Sequence, residues 1–305
     1  MAYEYDEFSM FTENCEEYGI EWRGQPRVRR ESYRLSDGRH LSGLLWGDAD
    51  PELVLIHGGA QNAHTWDTVA LALDRPLLAI DLPGHGHSDP GRDGNGIGPW
   101  TNAEDVAQVL AVAAPNAKLV VGMSLGGLTT LALTTVAPEL TRQVLLVDVT
   151  PGVNRERSQH IADFVNGPAT FPNFDELLAR TIEFNPSRTE SSLRRGILHN
   201  AVQLEDGSWA WRYARHRAGD TPFSASESAS NDLGFGDLWE AVSKFPGAIC
   251  EARGMAKGSV VGDDDIEELL RRRPDARVVE FVNSGHSIQG DEPVALANLI
   301  SELIA

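Results

Sequence analysis

The chain has 305 residues, of which 41% are hydrophobic, and its formal net charge is −19 at neutral pH. That amount of apolar material is enough for a sizeable core. A surface this acidic repels phosphate backbones and anionic membranes, so we expect neither a nucleic acid nor a membrane as a partner.

The N-terminal residues 1–26 form an acidic arm, and the first 22 of them carry seven acidic residues and no Lys or Arg. This arm could be a solvated extension or a contact in a homo-oligomer. It lacks the basic start and apolar run of a signal peptide, and no apolar stretch in the chain is long enough to cross a bilayer. The two cysteines, Cys15 and Cys250, could form a single bridge, but they do not resemble a disulfide framework or a metal-ligand cluster, and free thiols fit best. We therefore expect a cytoplasmic protein with free thiols and no metal.

After the arm, the chain alternates between short apolar runs and helical spacing. Residues 28–35 and 39–47 predict a strand pair joined by a turn at Ser36-Asp37-Gly38. Short strands are predicted within 52–57, 76–86, 118–127 and 143–152, and helices within 64–74, 101–113 and 125–137. Short apolar strands that alternate with helices indicate an α/β fold with a mostly parallel central sheet and helices on both faces.

The alternation stops at residue 151 and resumes near residue 244. Between these points the sequence predicts helical stretches and no convincing buried strand. Beyond them it predicts strands at 246–254 and 276–282 and helices at 264–273 and 292–304. The predicted organisation is a core domain, residues 27–150 and 244–305, interrupted by a mostly helical cap, residues 151–243.

The central chemical motif is Gly122-Met123-Ser124-Leu125-Gly126, a G-x-S-x-G sequence. An apolar strand precedes it and a helix follows it, which is the setting in which such a serine lies on a sharp, strained turn as a nucleophile. Residues two before and two after the serine must be small, because strand and helix crowd together there. Ser124 is therefore predicted to be the nucleophile.

A nucleophilic serine also needs two backbone N–H donors for the oxyanion and a nearby base. The residue after the nucleophile, Leu125, supplies one donor. The segment His57-Gly58-Gly59-Ala60 supplies the other, with Gly59 preferred and Ala60 next. His57 itself is expected to shape this loop by hydrogen bonding rather than to transfer protons.

His286, in Ser284-Gly285-His286-Ser287, is the predicted base, because it lies on a loop after the last strand and follows the serine in the chain. Asp148 ends a buried apolar strand at the same edge of the sheet as Ser124, and a buried carboxylate there needs a partner such as His286. Asp263, at the start of a predicted helix, is the alternative acid.

These segments resemble the capped members of the α/β-hydrolase superfamily. The similarity rests on LVLIHGGAQNAHTWD, AIDLPGHGHSD, GMSLGG and NSGHSIQGDEP, and it covers about 44–150 and 245–305. Most members carry the acid after the strand that follows the cap, which here falls near Gly258 or Ser259. Haloalkane dehalogenases and some lactone hydrolases carry it after the strand that precedes the cap, where Asp148 lies. Dehalogenases have an aspartate nucleophile, and Ser124 departs from that.

The resemblance implies acyl transfer on a small-molecule carboxylic ester, with Ser124 as nucleophile, His286 as base and Asp148 as acid, and without a cofactor or metal. A lactonase or a C–C bond hydrolase with the same triad is the alternative. An inactive binding protein that kept the fold is the second. Several cap arginines could bind an acidic substrate tail, but pairing with nearby acidic residues is the favoured explanation for them. These arginines are Arg194, Arg195, Arg212, Arg215 and Arg217.

Overall fold

A computed structural model describes residues 5–92, 98–152, 155–186, 188–213 and 235–305. The strands of its main sheet are β1 (Val28–Arg34), β2 (His40–Trp46), β3 (Leu53–Ile56), β4 (Leu77–Ile80), β5 (Leu119–Met123), β6 (Gln143–Val147), β10 (Ala248–Gly254) and β11 (Arg277–Phe281). Their order is β1-β2-β4-β3-β5-β6-β10-β11. Strand β2 is antiparallel to both neighbours, and the other adjacent strands are parallel. The predicted parallel sheet is confirmed.

Helices lie on both faces of this sheet. The described helices are α1 (Phe11–Tyr18), α2 (Asp67–Leu73), α3 (Pro99–Ala113), α4 (Leu125–Val136), α5 (Arg155–Val165), α6 (Phe174–Phe184), α7 (Glu190–Asn200), α8 (Phe235–Lys244), α9 (Asp263–Arg272), α10 (Ile288–Asp291) and α11 (Pro293–Leu303), with 3₁₀ turns at Ala63–Trp66 and Pro138–Leu140. None of the helices in the described residues is long and apolar enough to cross a membrane.

The two faces of the sheet bury alternate residues of each central strand. In β3, Leu53 and Leu55 belong to the apolar cluster under α2 and α11, whereas Val54 and Ile56 belong to the cluster under α3, α4 and α8. All four side chains are fully buried. This two-sided burial explains why the central strands are continuous apolar runs in the sequence.

The segment between β6 and β10, residues 151–243, is called the insertion below. Its described part contains α5 to α8 and also three short strands, β7 (Thr170–Phe171), β8 (Ala201–Gln203) and β9 (Trp209–Trp211), paired antiparallel in the order β7-β9-β8. The sequence predicted helices here and no strand. Strands of two or three residues are too short to show an alternating pattern, so Trp209 and Trp211, buried on one side of β9, gave no recognisable signal.

The acidic arm packs against the rest of the chain, so a solvated extension is the wrong description of it. Helix α1 buries Phe11 and Cys15, which are 1% and 2% exposed, and the ring of Phe11 lies 5.1 Å from that of Trp46. Three of its acidic residues pair with cations outside the arm: Glu7 with Arg30, and Glu13 and Glu17 with Arg195. Both Cys15 and Cys250 are buried free thiols, as expected.

The topology brings the predicted chemical segments to one edge of the sheet. Strands β3, β5 and β6 are neighbours and parallel. Their carboxyl ends therefore carry the 57–60 loop, Ser124 and Asp148 side by side. Loops at the carboxyl ends of parallel strands are where α/β sheets bind ligands.

Candidate active site

Ser124 occupies the sharp turn between β5 and α4, with φ +51° and ψ −119°. A positive φ is costly for any residue except glycine and persists only where the surroundings enforce it. A Cβ atom added at Gly122 would lie 2.3 Å from the carbonyl oxygen of Gly126, and one added at Gly126 would lie 2.2 Å from that of Ile56. Both collisions are with backbone, which explains why the motif needs small residues at these positions.

His286 and Asp148 are hydrogen-bonded to each other. The Nδ1–H of His286 donates to Oδ2 of Asp148 over 2.9 Å, and the two side chains are 11% and 0% exposed. The backbone N–H of Ser124 donates to the carbonyl of Val147, the residue before Asp148, over 3.3 Å. With Nδ1 protonated, Nε2 of His286 carries the lone pair that can accept a proton.

Asp148 accepts three further hydrogen bonds, from the last residue of β10 and from the segment that follows it. Its Oδ1 accepts from the N–H of Gly254 (3.0 Å) and the hydroxyl of Ser259 (2.6 Å), and its Oδ2 accepts from the N–H of Val260 (3.0 Å). These donors compensate the cost of burying a carboxylate. Ser259, one of the two residues near which the superfamily resemblance predicts the acid, donates to Asp148 instead.

Asp263, the alternative acid in the sequence analysis, lies at the start of α9 and does not contact His286. Its side chain is 88% exposed and pairs with Arg253 over 2.7 Å. Its position agrees with the preference of acidic residues for the first turn of a helix. The structure therefore brings Asp148, and not Asp263, to His286.

The 57–60 loop touches the serine. A Cβ atom added at Gly58 would lie 3.2 Å from Cβ of Ser124. In the described part of the chain, the N–H groups of Gly59 and Leu125 have no protein acceptor. Two unpaired backbone donors beside a serine on a strained turn can stabilise negative charge on a tetrahedral carbon bound to that serine.

The other N–H groups of this loop are already paired. Gly58 donates to Oε1 of Gln61 over 3.1 Å, and Ala60 donates to Nε2 of His85 over 3.1 Å. Ala60, the second choice for an oxyanion donor, is thus not available for that role. Gly59 is exposed, and a Cβ atom added there would meet nothing within 4 Å, so there is open space beside this residue.

Two buried neutral histidines brace the loop. The Nδ1–H of His57 donates to the carbonyl of Gly58 (2.7 Å), and its Nε2 accepts from the N–H of Leu82 (2.9 Å). Burial, with the nearby His85, lowers the pKa of His57 to about 3. Both ring nitrogens are engaged, so His57 shapes the loop as expected. The equivalent contribution of His85 was missed, because its motif is also typical of an ordinary polar turn.

A buried ion-pair network joins the arm to the core beside this loop. His64 bonds to Oδ2 of Asp67 through Nδ1 (2.8 Å) and to Oε2 of Glu7 through Nε2 (3.1 Å). Burial alone would lower the pKa of His64, but the charge and hydrogen bond of Asp67 and the hydrogen bond of Glu7 outweigh it and raise that pKa to about 9. The carboxylates of Asp67 and Glu7 therefore favour the protonated form of His64. Arg30 completes the network through Glu7 (2.6 Å) and the buried Asp81 (2.7 Å).

The insertion joins the same network through His199. Its ring stacks on that of His64, with 3.9 Å between centroids and 11° between planes, and Nδ1 bonds to the hydroxyl of Tyr5 over 2.7 Å. His64, Asp67 and His199 are close enough together to suggest metal ligands. However, a metal ion lies near the plane of each imidazole that binds it, and two parallel stacked rings share no such point. The arrangement fits an ion-pair network better than a metal centre.

The described arginines of the insertion have partners within the chain. Arg195 is buried and binds Glu17 and Asn14 of the arm. Arg194 lies over the ring of Phe174 at 4.8 Å, and Nε of Arg212 donates to the carbonyl of Ala201 over 3.1 Å. Local pairing thus accounts for these three. Arg215 and Arg217 lie outside the described residues.

Comparisons with known proteins agree with this geometry. Residues 53–299 match the model of the alpha/beta hydrolase family. Esterase Rv0045c of Mycobacterium tuberculosis is 41% identical over 303 residues, which cover 97% of this chain and 94% of that protein. A crystal structure described as a novel esterase Rv0045c from Mycobacterium tuberculosis has a TM-score of 0.83 at 40% identity and covers 99% of both chains.

A more distant relative is a 3-hydroxybutyrate-oligomer hydrolase of Cupriavidus necator. It is 29% identical over 264 residues, which cover 83% of this chain and 88% of that protein. The crystal structure of an E-2-(acetamidomethylene)succinate hydrolase has a TM-score of 0.75 at 23% identity, over 90% of this chain and 99% of that one. The second similarity concerns the fold alone.

Proposed function

This chain belongs to the alpha/beta hydrolase family, and we propose from that premise that it cleaves small-molecule carboxylic esters through an acyl-enzyme. The observation that carries the proposal is the hydrogen bond of His286 to the buried Asp148 at the edge of the sheet that holds Ser124 on its strained turn. The relative with 41% identity is an esterase, which supports the same reaction class.

In the first half of the reaction, Nε2 of His286 takes the hydroxyl proton of Ser124 while Oγ bonds to the ester carbonyl carbon. The N–H groups of Gly59 and Leu125 stabilise the oxyanion. Asp148 holds the ring of His286 in the Nδ1–H tautomer and stabilises the imidazolium. The bond from carbon to the leaving oxygen then breaks, and the proton on Nε2 passes to the departing alcohol.

In the second half, water replaces the alcohol. His286 takes a proton from water, hydroxide adds to the acyl carbon, and collapse of the tetrahedral adduct releases the carboxylic acid and restores the hydroxyl of Ser124. These steps need no cofactor. The hydrogen bond between His286 and Asp148 favours this reaction over an inactive binding protein. A protein without activity would have no need to keep an acid and a base paired in this way.

The test replaces Ser124 with alanine, which the same tight turn accommodates. We expect kcat for p-nitrophenyl butyrate to fall by roughly 10⁴-fold or more, as when other serine hydrolases lose the nucleophile, while the unfolding temperature stays close to that of the wild type. A fluorophosphonate should label the wild type at Ser124. Ser36→Ala, an exposed serine in the β1–β2 turn, is the matched control and should keep full activity. A Ser124→Ala variant that is folded and near wild-type in turnover would refute the proposal.

Lactonase and C–C bond hydrolase activities would use the same three residues. Rates for p-nitrophenyl esters, lactones and vinylogous diketones, each compared in the wild type and Ser124→Ala, separate them. We expect the esters to give the highest kcat/KM.

A further inference from the structure

The loop that carries the proposed oxyanion donor is a tight turn with one strained residue. The N–H of Gln61 donates to the carbonyl of Gly58 over 3.3 Å and closes the turn. Ala60, inside it, has φ +61°, a conformation that costs a residue with a Cβ atom about 1 kcal/mol or more. Such a turn keeps its shape only if other contacts hold Ala60.

Two side chains hold the backbone of Ala60, and one of them comes from the insertion. His85 accepts its N–H, as described above, and Nδ2 of Asn200, the last residue of α7, donates to its carbonyl over 2.6 Å. Asn200 is 140 residues away in the chain. The insertion therefore reaches directly into the loop beside Ser124.

Asn200 is itself fixed from both sides. Nδ2 of Asn62 donates to Oδ1 of Asn200 (3.2 Å) and to the carbonyl of His199 (3.0 Å), and Oδ1 of Asn62 accepts from the N–H of His64 (3.0 Å). The carbonyl of Asn200 accepts from the N–H of Arg212, the residue after β9, over 2.8 Å. Because each amide has a backbone partner, the orientation of both side-chain amides is determined, and Asn200 can only donate to Ala60.

The direction of the Gly59 N–H depends on this turn. In a trans peptide, the N–H points opposite to the carbonyl of the preceding residue. The carbonyl of Gly58 is held by His57 on one side and by Gln61 across the turn. Movement of Ala60 would shift Gln61 and release one of these restraints, and the N–H of Gly59 would lose its aim at the oxyanion.

We propose that Asn200 is a positioning residue for the oxyanion loop, so that the insertion contributes to stabilisation of the transition state as well as to the boundary of the site. This inference rests on the proposed function of Ser124 and Gly59. Its consequence is specific: Asn200 should matter for the tetrahedral, anionic state of the reaction and little for binding of the neutral ester.

The experiment compares Asn200→Ala and Asn200→Asp with the wild type. Removal of a whole oxyanion donor costs about 10²–10³-fold in kcat, and loss of a contact that positions the donor should cost less, about 10-fold, with KM within about twofold. Affinity for phenylboronic acid, which forms a tetrahedral anionic adduct on a catalytic serine, should fall in parallel with kcat. Asn200→Asp keeps the size of the side chain but places a carboxylate beside the carbonyl of Ala60, so we expect at least the same loss.

The matched control is Asn185→Ala, because Asn185 is also an asparagine at the end of an insertion helix but donates to Thr181 of its own helix (2.9 Å). This variant should match the wild type in kcat and in phenylboronic acid affinity. Circular dichroism shows whether each Asn200 variant is folded. If Asn200→Ala is not folded, the kinetics and boronic acid affinity of Asn200→Asp test the inference alone.

Unchanged kcat and boronic acid affinity in a folded Asn200 variant would overturn the inference, as would a loss that appears only in KM. Failure of the proposed function looks different: the wild type itself would then hydrolyse no ester, or a fluorophosphonate would fail to label Ser124.

Discussion

Asp148 accepts four hydrogen bonds, one from the last residue of β10, two from the segment that follows it and one from His286. The three structural donors leave the carboxylate in one orientation, which fixes the ring of His286. A carboxylate with this set of donors is built to orient an imidazole and to stabilise its cationic form. This is the function expected of the acid in a serine hydrolase.

Replacing Asp148 with asparagine tests this assignment. We expect kcat for p-nitrophenyl butyrate to fall by roughly 10³–10⁴-fold, because the neutral amide no longer stabilises the imidazolium or selects the Nδ1–H tautomer. Asp263→Asn removes an equivalent acid that is exposed and paired with Arg253, so its kcat should stay within about twofold of the wild type. Steady-state kinetics on both variants gives the answer, and the reverse ranking would transfer the role to Asp263.

The sequence was sufficient to nominate Ser124, Asp148 and His286, because each follows an apolar strand and parallel strands end at one edge. It was not sufficient to find Asn200. That residue ends an ordinary amphipathic helix, and its partner Ala60 is 140 residues away, so no local pattern of residue types marks the contact. Ser259 was noticed only because it lacks the expected charge, and its hydrogen bond to Asp148 required coordinates.

At the scale of whole elements, the arm connects the core to the insertion. Tyr5 bonds to His199 of α7, Glu7 bonds to His64 and Arg30 of the core, and α1 contributes Asn14 to Arg195. The sequence showed that the arm is acidic but gave no indication of these partners. A run of acidic residues is expected to be solvated unless cations are known to face it. Arg195, which binds Glu17, lies far along the chain from the arm.

The docking of the arm should depend on apolar burial as well as on charge. Phe11→Ala removes a side chain that is 1% exposed and packed against Trp46. Large-to-small changes of a buried Phe cost about 3–5 kcal/mol, so we expect the free energy of unfolding in urea to fall by about 3 kcal/mol. Val112→Ala, at a position 79% exposed on α3, should change it by less than about 0.5 kcal/mol. Equal effects of the two changes would show that α1 contributes nothing to stability.

The ion-pair network predicts a loss of stability at alkaline pH. The pKa of His64 is raised from 6.5 to about 9 in the folded protein, so the fold binds this proton more tightly than the unfolded chain does. The stabilisation is therefore complete below pH 6.5 and is lost as pH rises from 6.5 through about 9. The free energy of unfolding should decline over this range by at most about 3 kcal/mol.

The control for this effect is His64→Gln, which has no proton to lose in that range. Urea unfolding of both proteins at pH 6.5, 8 and 9.5 isolates the contribution of His64, because the cysteines and other groups titrate alike in the two. The difference in stability between wild type and variant should shrink as pH rises. A constant difference across the three pH values would mean that His64 is not charged in the folded protein.

At the scale of the whole molecule, the sequence predicted the α/β core correctly. It predicted the helices of the insertion but not its three short strands. The central strands β3, β4, β5 and β6 bury apolar residues on both faces, so their burial is visible in the sequence. The insertion buries its own apolar cluster, which also includes Met10 of the arm and Ala60 of the oxyanion loop. Arm, core and insertion thus share one apolar cluster. Predicting each of these segments separately from the sequence could not reveal a cluster built from all three.

The net charge of −19 should govern which esters reach Ser124 easily. A field of this sign lowers the local concentration of anionic substrates, and salt screens it: the Debye length falls from about 30 Å at 0.01 M to about 8 Å at 0.15 M ionic strength. We expect kcat/KM for the mono-p-nitrophenyl ester of glutarate, which carries a free carboxylate, to rise several-fold over that range. The rate constant for neutral p-nitrophenyl butyrate should stay constant. An arginine near the site could attract anionic esters despite the negative net charge. Among the described insertion arginines we choose Arg212, whose Nε donates to the carbonyl of Ala201, and test it with Arg212→Ala. If the wild type instead prefers the anionic ester at low salt, and the variant loses that preference, a local cation at the site outweighs the field of the whole molecule.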